Sequence, residues 1–363
     1  MKSKLAIREQ TGQMLIAGFE GTRLTPETED LIRNHHIGGL ILFGRNYENP
    51  EQLRRLIADL QKTALSSSTG LPLFISVDQE GGRVARLPAP FTDYPPASCL
   101  GHARSESLAF RFGQALATEL LEVGINMDYA PVLDVNTNPE NPIIGDRAFS
   151  THPEWVSRLG AAFIRGFQET GMLAVGKHFP GHGDTRLDSH LDLPTVDRAL
   201  DMLEKVELMP FRDNIHMPAV MTAHVMYPAW DPQFPATFSK IILQKVLRQR
   251  LGFKGVIISD DLEMKAVEKH WPVEAIPSLG VNAGVDIFLI CHSQEKIRSL
   301  HNRLTEEVEQ GAIPHQSIEQ SVARIMKMKS AIKRTPGKNS NLSPWGDAHQ
   351  KLADEMRSHL PIV

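Results

Sequence analysis

The chain has 363 residues, 41% of them apolar and 23% charged, with a formal net charge of -4. These are globular proportions; they supply no positive field to hold nucleic acid, and no apolar run approaches the roughly 20 residues of a membrane span. The first ten residues, M-K-S-K-L-A-I-R-E-Q, carry positive charge with no apolar stretch behind it, so a soluble, unexported, cytoplasmic protein is expected. Only Cys99 and Cys291 are present, too far apart for a metal clip or a disulfide framework, and both are expected reduced and buried.

Short apolar or β-branched runs recur along the chain, most followed by a stretch with helical spacing. In order they are Met14 to Phe19, Gly39 to Phe43, Leu73 to Val77, Ile125 to Val135, Met172 to Val175, Ala219 to Thr222, Gly255 to Ser259 and Val285 to Ile290. Between them the spacing predicts helices at Pro26 to Asn34, Glu51 to Leu60, Ser105 to Val123, Glu154 to Glu169, Lys240 to Leu251 and Gln294 to Glu309. Eight strand-plus-helix units imply an α/β protein of the (β/α)8 TIM-barrel type, in a single domain over residues 1–334. A helix from Ser317 to Ile332 closes the ring. Residues 335–363 read as a polar linker, around Thr335 to Asn341, and an appended helix from Asp347 to His359.

A barrel enzyme carries its chemistry at the carboxyl ends of its strands, and those ends are polar here. They present Glu20, Arg45 and Asn46, then Asp78-Gln-Glu80, Asp134, Lys177-His178, His224, Asp260-Asp261 and His292. No Gly-rich dinucleotide or nucleotide-phosphate motif is present, and no cofactor is expected.

The densest stretch is K-H-F-P-G-H-G-D-T-R-L-D-S-H, Lys177 to His190, expected to be a loop leaving the fifth strand. Within it, Asp188 stands two residues before His190 and can fix the imidazole tautomer, leaving the other ring nitrogen to move a proton; a solvated loop histidine is the alternative. In S-D-D, Asp260 leaves an apolar strand where a nucleophile or a stabiliser of a developing cation belongs, although one of Asp260 and Asp261 could cap a helix beginning near Leu262. Asp78-Gln-Glu-Gly-Gly-Arg83 with Arg86 can bind hydroxyls or anions, or form a structural turn with an ion pair. Arg147, in Gly145-Asp-Arg147, carries the same two readings. His178, His182, Asp184, Asp188 and His190 are zinc-type donors, but Pro180 and Gly181 break the helical face that His178 and His182 would need, and no metal is expected.

Taken together, K-H-F-P-G-H-G-D-T-R-L-D-S-H, V-D-Q-E-G-G-R-V, A-P-V-L-D-V, I-G-D-R-A-F and G-V-I-I-S-D-D-L closely resemble the motifs of family-three glycoside hydrolases, in the branch of bacterial β-N-acetylhexosaminidases. The resemblance runs in order from about Gly38 to His292. It implies that Asp260 is the nucleophile, that His190 is the general acid/base oriented by Asp188, and that Asp78, Arg86, Arg147, Lys177 and His178 contact the sugar. It implies hydrolysis with retention, releasing N-acetylglucosamine from sugar or muropeptide substrates that contain anhydro-N-acetylmuramic acid, in peptidoglycan recycling. A neutral imidazole does not repel anions, so a phosphorylase is an alternative, as is substrate-assisted catalysis; a non-catalytic sugar-binding barrel is a more remote one. No nucleic-acid or membrane partner is expected, and a monomer is favoured.

Overall fold

Parallel strands covered on both faces need apolar side chains on both faces, which is why the runs above are continuous rather than alternating. In the structure, a computed structural model describing residues 5–189, 191–332 and 346–361, they form β1 (Leu15–Gly18), β2 (Gly39–Leu42), β3 (Phe74–Val77), β4 (Met127–Asp128), β5 (Leu173–Phe179), β6 (Ala219–Thr222), β7 (Val256–Asp261) and β8 (Ile287–Ile290). Each strand pairs in parallel with the next, and β1 closes the barrel on β8 through Leu15 opposite Phe288 and Ala17 opposite Ile290. The expected (β/α)8 barrel is therefore the architecture found. Ile16, Ile41, Ile75, Val175, Val220, Ile258 and Leu289 are all buried, each contributing about 1.5–3 kcal/mol of transfer free energy.

Two strands depart from expectation. The run from Ile125 to Val135 forms ladder pairs only at Met127 and Asp128 before cis-Pro131, and it then continues as extended chain touching β5 through Val132 opposite Lys177. Conversely, β5 runs on to Phe179, so Lys177 and His178 lie within a buried strand and not in the loop expected to follow it. Ionic side chains inside a strand read as a loop because sequence does not display the partners that make their burial tolerable.

The ring of helices begins at local caps. Asn49 accepts from the Gln52 amide at the start of Pro50–Leu65, Ser105 from Leu108 at the start of Glu106–Val123, and Ser293 from Lys296 at the start of Gln294–Glu309. Between β6 and β7 the helix Ile241–Arg250 is wound in π register. No helix begins at Leu262; the chain turns there, and a helix of four residues starts at Lys265. The predicted C-terminal helix spans Asp347–Arg357 and buries Leu352, Ala353 and Met356, pairing Glu355 with Arg111 and His349 with Glu119; the linker residues Thr335 to Asn341 lie outside the described residues. Both cysteines are free and buried. Among the described residues no helix is long and apolar enough to cross a membrane.

The amino-terminal end of the barrel is tied by one carboxylate. Asp286, with no exposure, accepts from Arg248 at 2.6 Å, Arg324 at 2.7 Å, Ser321 at 2.7 Å and the Ile257 amide at 2.9 Å. Removing one member of such a network leaves the others desolvated and unpaired. Asp286→Ala is expected to lower unfolding free energy by about 3–5 kcal/mol, read from urea denaturation, while leaving the KM of the folded fraction unchanged.

Candidate active site

A cavity of about 320 Å³ opens at the carboxyl ends of the strands. Asp78, Arg86, Arg147, Lys177, His178, Asp188 and Asp260 all line it, so seven of the eight residues singled out from sequence meet in one place. The eighth, His190, lies outside the described residues. A larger hollow of about 1010 Å³, bordered by Ser98, Asn136 and Leu360, contains none of them.

The floor is an ionic network. Lys177, 2% exposed, donates to Asp78 at 2.6 Å and lies 2.6 Å from Glu80. Glu80 in turn receives both Nε and Nη2 of Arg147 at 2.8 Å. This bidentate fork fixes the Gly145–Arg147 turn beside the pocket. Burial raises the Glu80 pKa, but Arg147 and Lys177 outweigh it and hold the carboxyl far below the ordinary range. Burial likewise works against the charge on Lys177, and Asp78 and Glu80 overcome it, raising that pKa. Arg86 has a different role: its amide is held by Gln79 at 2.7 Å, while its buried Nε has no hydrogen-bond partner among the described residues. A buried N–H without a partner is uncommon in a folded protein.

The second wall is built on Asp134, fully buried at the end of the fourth strand run. Its carboxylate accepts from His178 Nδ1 at 2.7 Å and from the amides of His178 at 3.1 Å and His182 at 2.7 Å. The bond to Nδ1 fixes the His178 ring and leaves Nε2 as its remaining nitrogen. His182 bridges Thr185 Oγ1 at 2.9 Å and Ser189 Oγ at 3.2 Å, and burial lowers its pKa to about 4, so the ring is neutral. The glycines here are geometric necessities. Gly181 has φ 139°, and a Cβ on Gly183 would stand 1.8 Å from the Val135 carbonyl oxygen.

Asp260 ends β7. Burial raises its pKa, but His178, His224, the Asp261 amide at 2.8 Å and Lys177 outweigh that and hold it below the ordinary carboxylate range. His224 stands behind it, donating Nε2–H to the Asp261 carbonyl at 3.1 Å and accepting at Nδ1 from Thr237 at 2.7 Å. Asp261 does not cap a helix: its carboxylate accepts from the Glu263 and Cys291 amides across the following turn, and burial pushes its pKa up to about 7. The two aspartates of S-D-D thus differ in kind, one held ionised toward the cavity, the other closing a turn.

Sequence reasoning did not assign roles to Glu80, Asp134, His182 or His224, though all but His182 belong to its strand-end series. Phe43 and His292, stacked at 5.5 Å, form part of the rim. Among the described residues no group of three or more His, Cys, Asp or Glu side chains is placed to hold a metal ion.

A (β/α)8 barrel with an ionised aspartate facing buried Arg, Lys and His donors is the architecture of a glycoside-cleaving enzyme. The glycosyl hydrolase family 3 N-terminal domain matches residues 6–328, and the chain belongs to that family, in its β-hexosaminidase branch. A β-hexosaminidase of Alkalilimnicola ehrlichii is 41% identical over 300 residues, 80% of this chain and 84% of that relative. A family 3 β-N-acetylglucosaminidase from a Paenibacillus strain superposes with a TM-score of 0.93 at 39% identity, over 98% of this chain and 69% of that one. NagZ from Neisseria gonorrhoeae, solved in complex with N-trifluoroacetyl-D-glucosamine, superposes with a TM-score of 0.77 at 35% identity, over 95% of this chain and 97% of the other.

The Glu80 network has a pH signature. A carboxyl whose folded pKa lies below its unfolded value stabilises the fold above the unfolded value, 4.5 for Glu80, and loses that contribution as pH falls toward the folded value. Glu80→Gln is expected to cost about 3 kcal/mol at pH 7, with the deficit against wild type shrinking below pH 4.5. Denaturant midpoints at pH 7 and pH 3 test this, and an equal deficit at both would refute it.

Proposed function

We propose that the chain removes single N-acetylglucosamine residues from the non-reducing ends of peptidoglycan fragments, including those ending in anhydro-N-acetylmuramic acid, by a retaining double displacement in the cytoplasm. The observation that carries this reading is the ionised Asp260 in a pocket at the small end of the usual ligand range of about 300–1,000 Å³. A pocket of that size takes one sugar ring and stops a longer chain from passing. Its buried cations and imidazoles suit a ring of hydroxyls and an acetamide, each a hydrogen-bond acceptor. The N-trifluoroacetyl-D-glucosamine bound by the gonococcal NagZ supports the same sugar here.

In the first step Asp260 attacks the anomeric carbon; the bond to the leaving oxygen breaks as His190, oriented by Asp188, gives that oxygen a proton. The second step runs in reverse through water deprotonated by neutral His190, and the sugar leaves with its β configuration restored. Asp78, Arg86, Arg147, Lys177 and His178 hold the ring so that the charge of the oxocarbenium-like transition state develops over Asp260.

Proton NMR of the protein acting on para-nitrophenyl N-acetyl-β-D-glucosaminide, with and without inorganic phosphate, tests this. Free N-acetylglucosamine appearing first as the β anomer is expected in both buffers. N-Acetylglucosamine 1-phosphate formed in the phosphate buffer would reassign the chain as a phosphorylase, and an α-first product would end the retaining mechanism. Asp260→Ala is expected to lower kcat by about 10³-fold or more.

A further inference from the structure

Two catalytic groups on different segments of a chain must each be held within about 0.5 Å of the productive geometry. Asp260 is held by a strand, but the Asp188–His190 segment leaves β5 on a loop whose tip, at Arg186 and Leu187, is exposed. Asn141 and Arg198 hold the first part of that loop, at His182 and Asp184, and its far end is held by the segment that follows the nucleophile. The Ser189 carbonyl accepts from the Ala266 amide at 3.1 Å. The Ser189 hydroxyl, 1% exposed, meets His182 Nε2, so this residue joins the root of its own loop to the turn after β7. Three residues further on, Asp192 meets Lys269 at 3.1 Å and His270 at 3.0 Å, and Lys269 also donates to the Leu191 carbonyl at 2.7 Å. Ser189 and Asp192 are therefore both attached to a single short segment, Ala266 to His270, which begins five residues after Asp261.

We infer that Ser189 and Asp192 are positioning residues that dock the acid/base segment onto the turn behind the nucleophile. The inference rests on the reading of His190 as general acid/base. The proton arrangement favours it: Thr185 Oγ1 donates to the His182 carbonyl, His182 Nδ1–H donates to Thr185 Oγ1, and Nε2 is left to accept the Ser189 hydroxyl. A neutral ring with one nitrogen committed on each side is a fixed strut and not a proton carrier. The nucleophile and the proton donor thus share one frame, although they lie about 70 residues apart in the chain.

The test is leaving-group dependence, which a general loss of structure does not produce. An acidic phenol departs without help, whereas a sugar alcohol needs its proton, a difference that general acids support by about 10²–10⁴-fold. Ser189→Ala and Asp192→Ala are each expected to lower kcat/KM on an N-acetylglucosamine disaccharide by about 10-fold or more, and on the 2,4-dinitrophenyl glycoside by less than about 3-fold. Asp192 is half exposed, so its variant folds even if the buried Ser189→Ala does not. Equal falls on both substrates, or no fall in the Asp192 variant, would overturn the docking role. His190→Ala separates the two ideas: if it shows the dependence and the docking variants do not, only the docking fails. If His190→Ala lacks the dependence, the acid/base reading fails and takes the docking with it.

Discussion

A carboxylate cut off from water stays charged only where its neighbours supply the hydrogen bonds that water would have given. Asp134 meets that condition through one imidazole and two backbone amides, with burial opposing the charge and His178 and His182 restoring it below the ordinary range. From this one group the site divides. Through His178 it turns an imidazole toward the cavity, where that ring helps to keep Asp260 ionised. Through the His182 amide it sets the start of the Gly181 loop, and His182 passes that constraint on to Ser189. The cavity wall and the loop after β5 are anchored to the same buried charge.

The floor of the pocket balances in a comparable way. Lys177 and Arg147 face Asp78 and Glu80, two cations and two anions within direct reach. A third carboxyl, Asp128, lies close by with no exposure, and its Oδ2 has no partner among the described residues. Burial, with repulsion from Asp78 and Glu80, pushes its pKa well above the ordinary value, against the pull of the Gln79 amide and Lys177. Asp128 thus holds its proton more tightly than an exposed aspartate does. Arg86, whose buried Nε has no hydrogen-bond partner among the described residues, lines the same cavity as these charges.

The barrel was legible from sequence because buried parallel strands write themselves as unbroken apolar runs, as at Val256 to Ile258 and Ile287 to Ile290. The meeting of Asp78, Lys177, His178 and Asp260 at one mouth was legible for a related reason, since polar groups at the ends of such runs lie at the carboxyl end of the barrel, whereas Arg86, Arg147 and Asp188 lie outside the strands and their roles were implied by the family resemblance. The end of β5 was misjudged because Lys177 and His178 look solvated until Asp78, Glu80 and Asp134 are seen beside them, contributed by other strands. Glu80 illustrates the same blindness. It sits 67 positions from Arg147, and no local pattern announces a fork between them. Asp261 misled in the opposite sense, since an aspartate before a helix suggests a cap, whereas its carboxylate is spent on amides from the turn and from the neighbouring strand end.

The division between strand and loop has a chemical logic. On the proposed double displacement Asp260 strikes one carbon along one line, and it sits on β7, whose pairing with β8 reaches as far as Asp261. A proton donor has a harder requirement when it is a carboxylic acid, because it must be buried in apolar surroundings to keep its proton near neutrality. An imidazole, with an ordinary pKa of about 6.5, needs no such burial. The described residues flanking position 190 are mixed in exposure: Ser189 is buried, whereas Leu187 and Leu191 are 54% and 67% exposed and Asp192 finds its partners at the surface. On the proposed reading of His190 as the proton donor, something other than burial has to fix its segment, and the contacts of Ser189 and Asp192 with the residues after β7 are what the structure offers for that purpose.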